Sequence, residues 1–257
     1  MPNWLEASMT FGNGTDIHKI LPPYDLVNRP ATEGVPEIGQ VVYTIVPELG
    51  QRWQIFDAER ANHRTHASVY GTIRTVDVEK DYKPKPGRLP VFKIGLRDCV
   101  ELLALQSKMR PCVVLATADG IPDEALPAAQ RNHARPAFRH HAALVAPAYS
   151  VSTVTDPRSV TATIAARAEC LVYPQLAFLP RSGGIIKNDS VLRLDRAFWT
   201  TLPPPTELCA LSLSKLRQAI LAGQLLTLQG RPASPDYVEL VELLRGELAS
   251  EHAAELA

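Results

Sequence analysis

Cysteine is scarce and scattered. Cys99, Cys112, Cys170 and Cys209 form no C-x-x-C pair, which argues against a zinc site and for reduced, mostly buried thiols. Long apolar runs are missing too, and none approaches membrane-spanning length. Met1 to Thr10 lacks the basic-then-apolar order of a secretory leader, so the expectation is a cytoplasmic protein with no membrane attachment. Nor does charge of one sign dominate. With 27 Lys and Arg against 27 Asp and Glu, no global field draws the chain to nucleic acid, and any such site must be a local patch.

Several catalytic signatures are absent as well. There is no H-E-x-x-H helix, no nucleophile elbow and no pair of carboxylates placed for glycoside chemistry. Ser182-Gly183-Gly184 lacks the lysine and the helix of a phosphate loop. His63 and His66 lie on a loop with no acidic or cysteine partner nearby, so neither a metal nor a cofactor is expected.

Proline is what the chain has in excess. Its 22 prolines in 257 residues imply many irregular connections and argue against a helical bundle. From Met1 to about Ile38 prolines and glycines break every short apolar group, giving an N-terminal extension (1–38) that drapes over another surface through Trp4, Phe11 and Tyr24. Regular structure starts at Gly39. Val41 to Val46 is a strand closed by Pro47, Trp53 to Asp57 a second, and Ser68 to Glu79 a third whose phase switch near Val76 suggests a bulge. Lys80 to Pro90 reads as a basic loop with a short strand, Leu89 to Ile94, after it. Leu96 to Ser107 has helical spacing through Leu96, Cys99, Val100 and Leu103.

The stretch that organises the rest is Lys108 to Ala116. Pro111 fixes its own φ and pushes Arg110 toward an extended conformation, which places a cation at the mouth of a buried strand. Ala142 to Ala146 and Ser190 to Leu194 have the same strand character, and Tyr149, Ser150, Ser152 and Thr153 form a hydroxyl-rich rim. Ser159 to Ala166 reads as β-prone. Pro203-Pro204-Pro205 marks the clearest boundary, followed by a C-terminal helical segment (206–257). Its first helix, Ser214 to Ala222, is expected to stop at Gly223, and its last starts at a Ser234 cap with Pro235 in the first turn.

Three pieces taken in order resemble the MazF/PemK toxin family. Gly39-Gln40-Val41-Val42-Tyr43 is similar to that family's opening strand. Arg110-Pro111-Cys112-Val113-Val114-Leu115 is similar to its R-P-x-(V/L)-V-(L/I) motif. Asn188 to Asp195 looks like its third strand motif. The resemblance implies a mainly β chain with added helices (α+β): an SH3-like, MazF/PemK-like curved antiparallel barrel over 39–202. An insertion at about 50–108 and the C-terminal helices are added to it, and such barrels are often dimeric.

The resemblance also implies a prokaryotic toxin–antitoxin or antiviral-defence module. The favoured expectation is action mainly through a regulatory partner protein of antitoxin, protease or sigma-factor type, with ribonuclease chemistry altered or lost. The alternative is an active, metal-independent endoribonuclease acting on single-stranded RNA. There an arginine would stabilise charge developing on the phosphate while a short hydroxyl positions it. Arg110 falls on the family's arginine. Tyr149 stands where threonine is expected, with Ser150 one residue later, so Arg110, Ser150 and Tyr149 are the candidate catalytic residues. The family's glycine-rich loop before Arg-Pro is absent. Lys83, Lys85 and Arg88, interleaved with Tyr82, together with Arg139, His140 and His141, are candidate RNA contacts.

Overall fold

A computed structural model describes residues 17, 21–27, 35–48, 52–60, 69–84, 100–120, 141–153, 155–158 and 160–246. The chain divides into two compact units, one formed by 1–45 with 109–257 and the other by 46–108. It is mainly β with a few helices, and its large sheet is a strongly curled antiparallel half-barrel.

That sheet is assembled from β1 (Tyr24–Leu26), β2 (Gln40–Pro47), β6 (Ser107–Ala118), β7 (Ala142–Ser150), β8 (Leu176–Leu179), β9 (Ser190–Arg193), β10 (Phe198–Thr200) and β11 (Glu207–Leu213). Its order is β1-β11-β2-β6-β7-β9-β8, with β10 also on β7. The β-branched runs at Val41, Val113 and Val191 are strands, as their side-chain character predicts, and they lie in one wall. A register shift between Val114 and Ala116 helps bend β6, since an extra residue on one strand increases local twist.

Alternation along the strands gives the sheet two apolar faces. On one, Val113, Ala146, Ala148, Leu179 and Leu192 pack with Leu211, Leu213 and Tyr24. On the other, Val151, Leu176, Phe178 and Val191 meet Ala165 and Ala168 of helix α1 (Ala162–Glu169). Burying a side chain the size of Phe178 stabilises the fold by about 2–3 kcal/mol.

Helices α2 (Lys215–Leu228) and α3 (Pro235–Gly246) close the C-terminal part of this unit. Ile220, Tyr237, Val241 and Leu244 pack there with Cys170, Leu171 and Val172. Ser214 starts α2, its hydroxyl accepting from the Arg217 N–H at 3.3 Å and donating to the Pro22 carbonyl at 2.6 Å. Ser234 caps α3 in the same way, as its position before proline predicts.

The second unit carries its own sheet, ordered β4-β3-β5, from β3 (Gln54–Arg60), β4 (Val69–Thr75) and β5 (Leu102–Ala104). The Phe56 ring lies across Gly71, where a Cβ would sit 2.3 Å from it. Only glycine leaves room for that ring on the strand.

Several sequence expectations are corrected. The helix expected from Leu96 to Ser107 is absent over its described part, where Leu102 and Leu103 pair with Phe56 and Ile55 instead. Ladder pairing outweighs a spacing that suits either element. Ser159 to Ala166 is not a strand. Thr161 caps α1 through its hydroxyl, which accepts from the Ile164 N–H, and alanines carry the helix. Gly223 does not end α2, which runs on to Leu228. A Cβ at Gly223 would lie 2.6 Å from the Tyr237 ring, so the glycine admits α3 rather than stopping α2.

Residue 206 does not open a wholly helical segment, because β11 pairs with β2 and belongs to the sheet. Val76 leaves its strand at a turn, closed by the Lys80 N–H on the Asp77 carbonyl, and not at a bulge. In the N-terminal stretch Tyr24 is buried as an anchor and donates to the Pro180 carbonyl at 2.6 Å. Trp4, Phe11, His63, His66 and the strand expected at Leu89 to Ile94 lie outside the described residues.

Candidate functional site

Strand register builds the site. Cys112 on β6 pairs with Pro147 on β7, so two residues back along β6 Arg110 faces Tyr149. Tyr149 in turn pairs with Val191 on β9. Directly paired residues share a face, which sets the Arg110 guanidinium over the Tyr149 ring, 4.5 Å from its centroid.

Pro147 shapes the rest. It has no N–H to give a neighbouring strand, and opposite it β9 leaves the ladder. Leu194 donates instead to the Gln175 carbonyl at 2.9 Å, and Leu194–Arg196 form a 3-10 turn before β10 rejoins β7 at Phe198. The turn delivers Arg196 to the same tyrosine: its guanidinium lies 5.6 Å from the ring centroid and donates to the phenol oxygen at 3.4 Å.

Arg193, the last residue of β9, is held differently. Its Nε and Nη2 reach the two carboxylate oxygens of Asp195 at 2.7 and 2.5 Å. These bonds hold the Asp195 carboxyl below the usual carboxylate range and raise Arg193 further. Arg193 also lies close enough to the Tyr149 phenol for the two to interact electrostatically. The cluster is thus three arginines and one carboxylate about a half-buried aromatic ring.

Ser150 does not join it. Adjacent strand residues point to opposite faces, and Ser150 pairs with the buried Ser190 on the other side of the sheet from Tyr149. The Cys112 thiol, one ladder step from the arginine, is no nucleophile either: burial pushes it up to about 12 despite Arg110 nearby.

The expected RNA contacts divide between the two units or are not described. His141 is exposed, with Nδ1 3.2 Å from Asp119, beside the start of β7. Eight residues of extended chain, roughly 27 Å, separate it from Tyr149. Lys83 belongs to the second unit and pairs with Glu79 at 3.6 Å, beside Tyr82 with its positive φ of 58°. Lys85, Arg88, Arg139 and His140 lie outside the described residues.

Chemically, the cluster offers guanidinium donors and a stacking ring, which suit recognition of an anionic or acidic group. Sequence reasoning named Arg110 and Tyr149 and missed the roles of Arg193 and Arg196. The available signal was two arginines three apart at a strand end. Among the described residues no three His, Cys, Asp or Glu side chains converge as metal ligands, and no helix is long and apolar enough to cross a membrane. No family model matches the chain, and no curated protein or solved structure matches it either.

Proposed function

We propose that this chain is a MazF/PemK-like toxin-fold protein of a prokaryotic toxin–antitoxin or antiviral-defence module. It acts mainly by binding a regulatory partner protein in the cytoplasm, with ribonuclease chemistry altered or lost. One observation carries this reading. The arginine at the strand mouth is stacked on Tyr149, where the family resemblance expects a short hydroxyl, and Ser150 alternates away to the far face. Cleavage through an RNA 2′-hydroxyl needs a group to take its proton and one to protonate the leaving oxygen. Arginine stabilises charge and does neither at neutral pH. Tyrosine and arginine in contact are, by contrast, the side chains that most often dominate protein–protein binding energy.

The alternative, a metal-independent endoribonuclease acting on single-stranded RNA, is favoured by one feature. The Arg110 fork makes no hydrogen bond or ion pair among the described residues and is open to a phosphate. Incubating the purified protein with long single-stranded RNA in chelator, beside Arg110→Ala, separates the two. The expected result is intact RNA with both proteins; cuts at defined sequences that vanish in Arg110→Ala overturn the proposal. Affinity capture from the native host supplies the positive arm. A protein retained by the wild type and lost from an Arg110→Ala/Arg196→Ala bait is the expected partner.

A further inference from the structure

The three arginines around Tyr149 are not equivalent. Among the described residues the Arg110 guanidinium makes only its ring contact, and Arg196 adds to its ring contact a single long bond to the phenol. Both forks are open to an outside anion. The Arg193 guanidinium is paired: two of its five N–H donors bond the two oxygens of Asp195, whose negative charge offsets its own. That carboxylate is about a third exposed, at 36%, so it is open to solvent beside the arginine it holds. It also feels the charge of Arg196.

From this we infer that Asp195 decides which anions the platform accepts: it neutralises the third guanidinium and so selects against the repeated phosphates of a single-stranded nucleic acid. The inference rests on the recognition reading of the site given above. The physical reason is arithmetic of charge. A polyanionic strand gains affinity by releasing counterions at each phosphate it pairs with a cation, about 0.7 in the salt exponent per phosphate on single strands. Asp195 removes one such cation and sets a like charge beside the path. A lone acidic side chain from a folded partner needs only the forks of Arg110 and Arg196 and loses little. Asp195 is a positioning and specificity residue acting through Arg193.

The test measures binding of the full chain to single-stranded oligothymidylate across a salt series, by fluorescence anisotropy, with thermal melts to check folding. Asp195→Asn is expected to tighten binding about 5- to 10-fold at low salt and to steepen the salt dependence by about 0.7, one further phosphate. The Arg193→Gln/Asp195→Asn double variant returns to the wild-type slope, because no third cation is left to unmask. Asp195→Glu, which keeps the carboxylate, also keeps that slope. Asp236→Asn makes the same charge change at an exposed position in the first turn of α3, paired with none of the three arginines, and stays within about 2-fold of wild type, since a surface charge outside the cluster is screened. An Asp195→Asn variant no tighter than Asp236→Asn, or a double variant that keeps the gain, overturns the inference. The probe has no 2′-hydroxyl, so RNA cleavage by the wild type would sink the recognition reading without altering this measurement.

Discussion

In the larger unit Val41, Val113, Ala146, Val191 and Leu192 are all at most 1% exposed, sealed between packed elements on both faces of one curled sheet. In the smaller unit the buried apolar side chains, among the described residues, are Val46, Ile55 and Ala58, while Trp53, Tyr70 and Ile73 stay more than half exposed. Its definition comes from polar geometry instead. Arg74 bonds Asp57 at 3.0 Å and both oxygens of Asp81 at 2.8 and 2.6 Å, and Asp81 also accepts from the Asp77 N–H at 2.7 Å. Among its described residues this three-stranded sheet buries little apolar surface. An ion-pair network then fixes the turn that a core cannot.

The contrast can be broken at three points. Phe178→Ala removes a fully buried ring from the large sheet and should cost about 3–5 kcal/mol, the transfer loss plus the cavity left behind. Urea unfolding followed by circular dichroism would report it, and a loss below 1 kcal/mol would deny that burial dominates there. Asp81→Asn should cost about 1–2 kcal/mol, discounted because Arg74 is one-third exposed and can find water. The effect should be local, as faster hydrogen exchange over residues 69–84 with unchanged protection in β6 and β7. Protection lost equally in both units would erase the distinction. Smallest is Tyr149→Leu, which forfeits two cation–π contacts near the surface and should shift stability by about 0.5–1 kcal/mol. A shift beyond 2 kcal/mol would make that ring a core element and not a binding platform.

Reading the fold from residues worked where one signal sufficed. Val41-Val42 before Pro47, Val113-Val114 after Pro111 and the alternating Ser190 to Arg193 are strands because β-branched side chains suit a half-buried pleat. It failed where two elements compete for the same pattern. Leu102 and Leu103 fit a helical stripe as well as a short strand, and only the presence of β3 beside them settles which forms. Thr161-Ala162-Thr163 looked extended because threonine is β-branched, yet the first threonine serves as a cap and the alanines propagate the helix. Gly223 carried the usual mark of a helix end, and its meaning depends on the Tyr237 ring packed against it from a later helix. For the site, Arg110 and Tyr149 were legible as residue types. Their contact was not, because it depends on the register between β6 and β7.

By itself the sequence determined the strands at Val41, Val113, Val145 and Val191, because side-chain branching and proline act on the chain locally. It determined as well that α3 starts at Ser234-Pro235 and that no single sign of charge dominates. Tertiary structure alone decided that β11 and the short β1 complete the sheet begun by β2. It alone decided that Ser150 faces away from Arg110, and that a turn opposite Pro147 carries Arg196 to Tyr149 while Asp195 holds Arg193. The reason is that a face, a register and a cross-strand contact belong to pairs of segments distant in sequence. No local propensity encodes which of two strands will slide past the other by one residue.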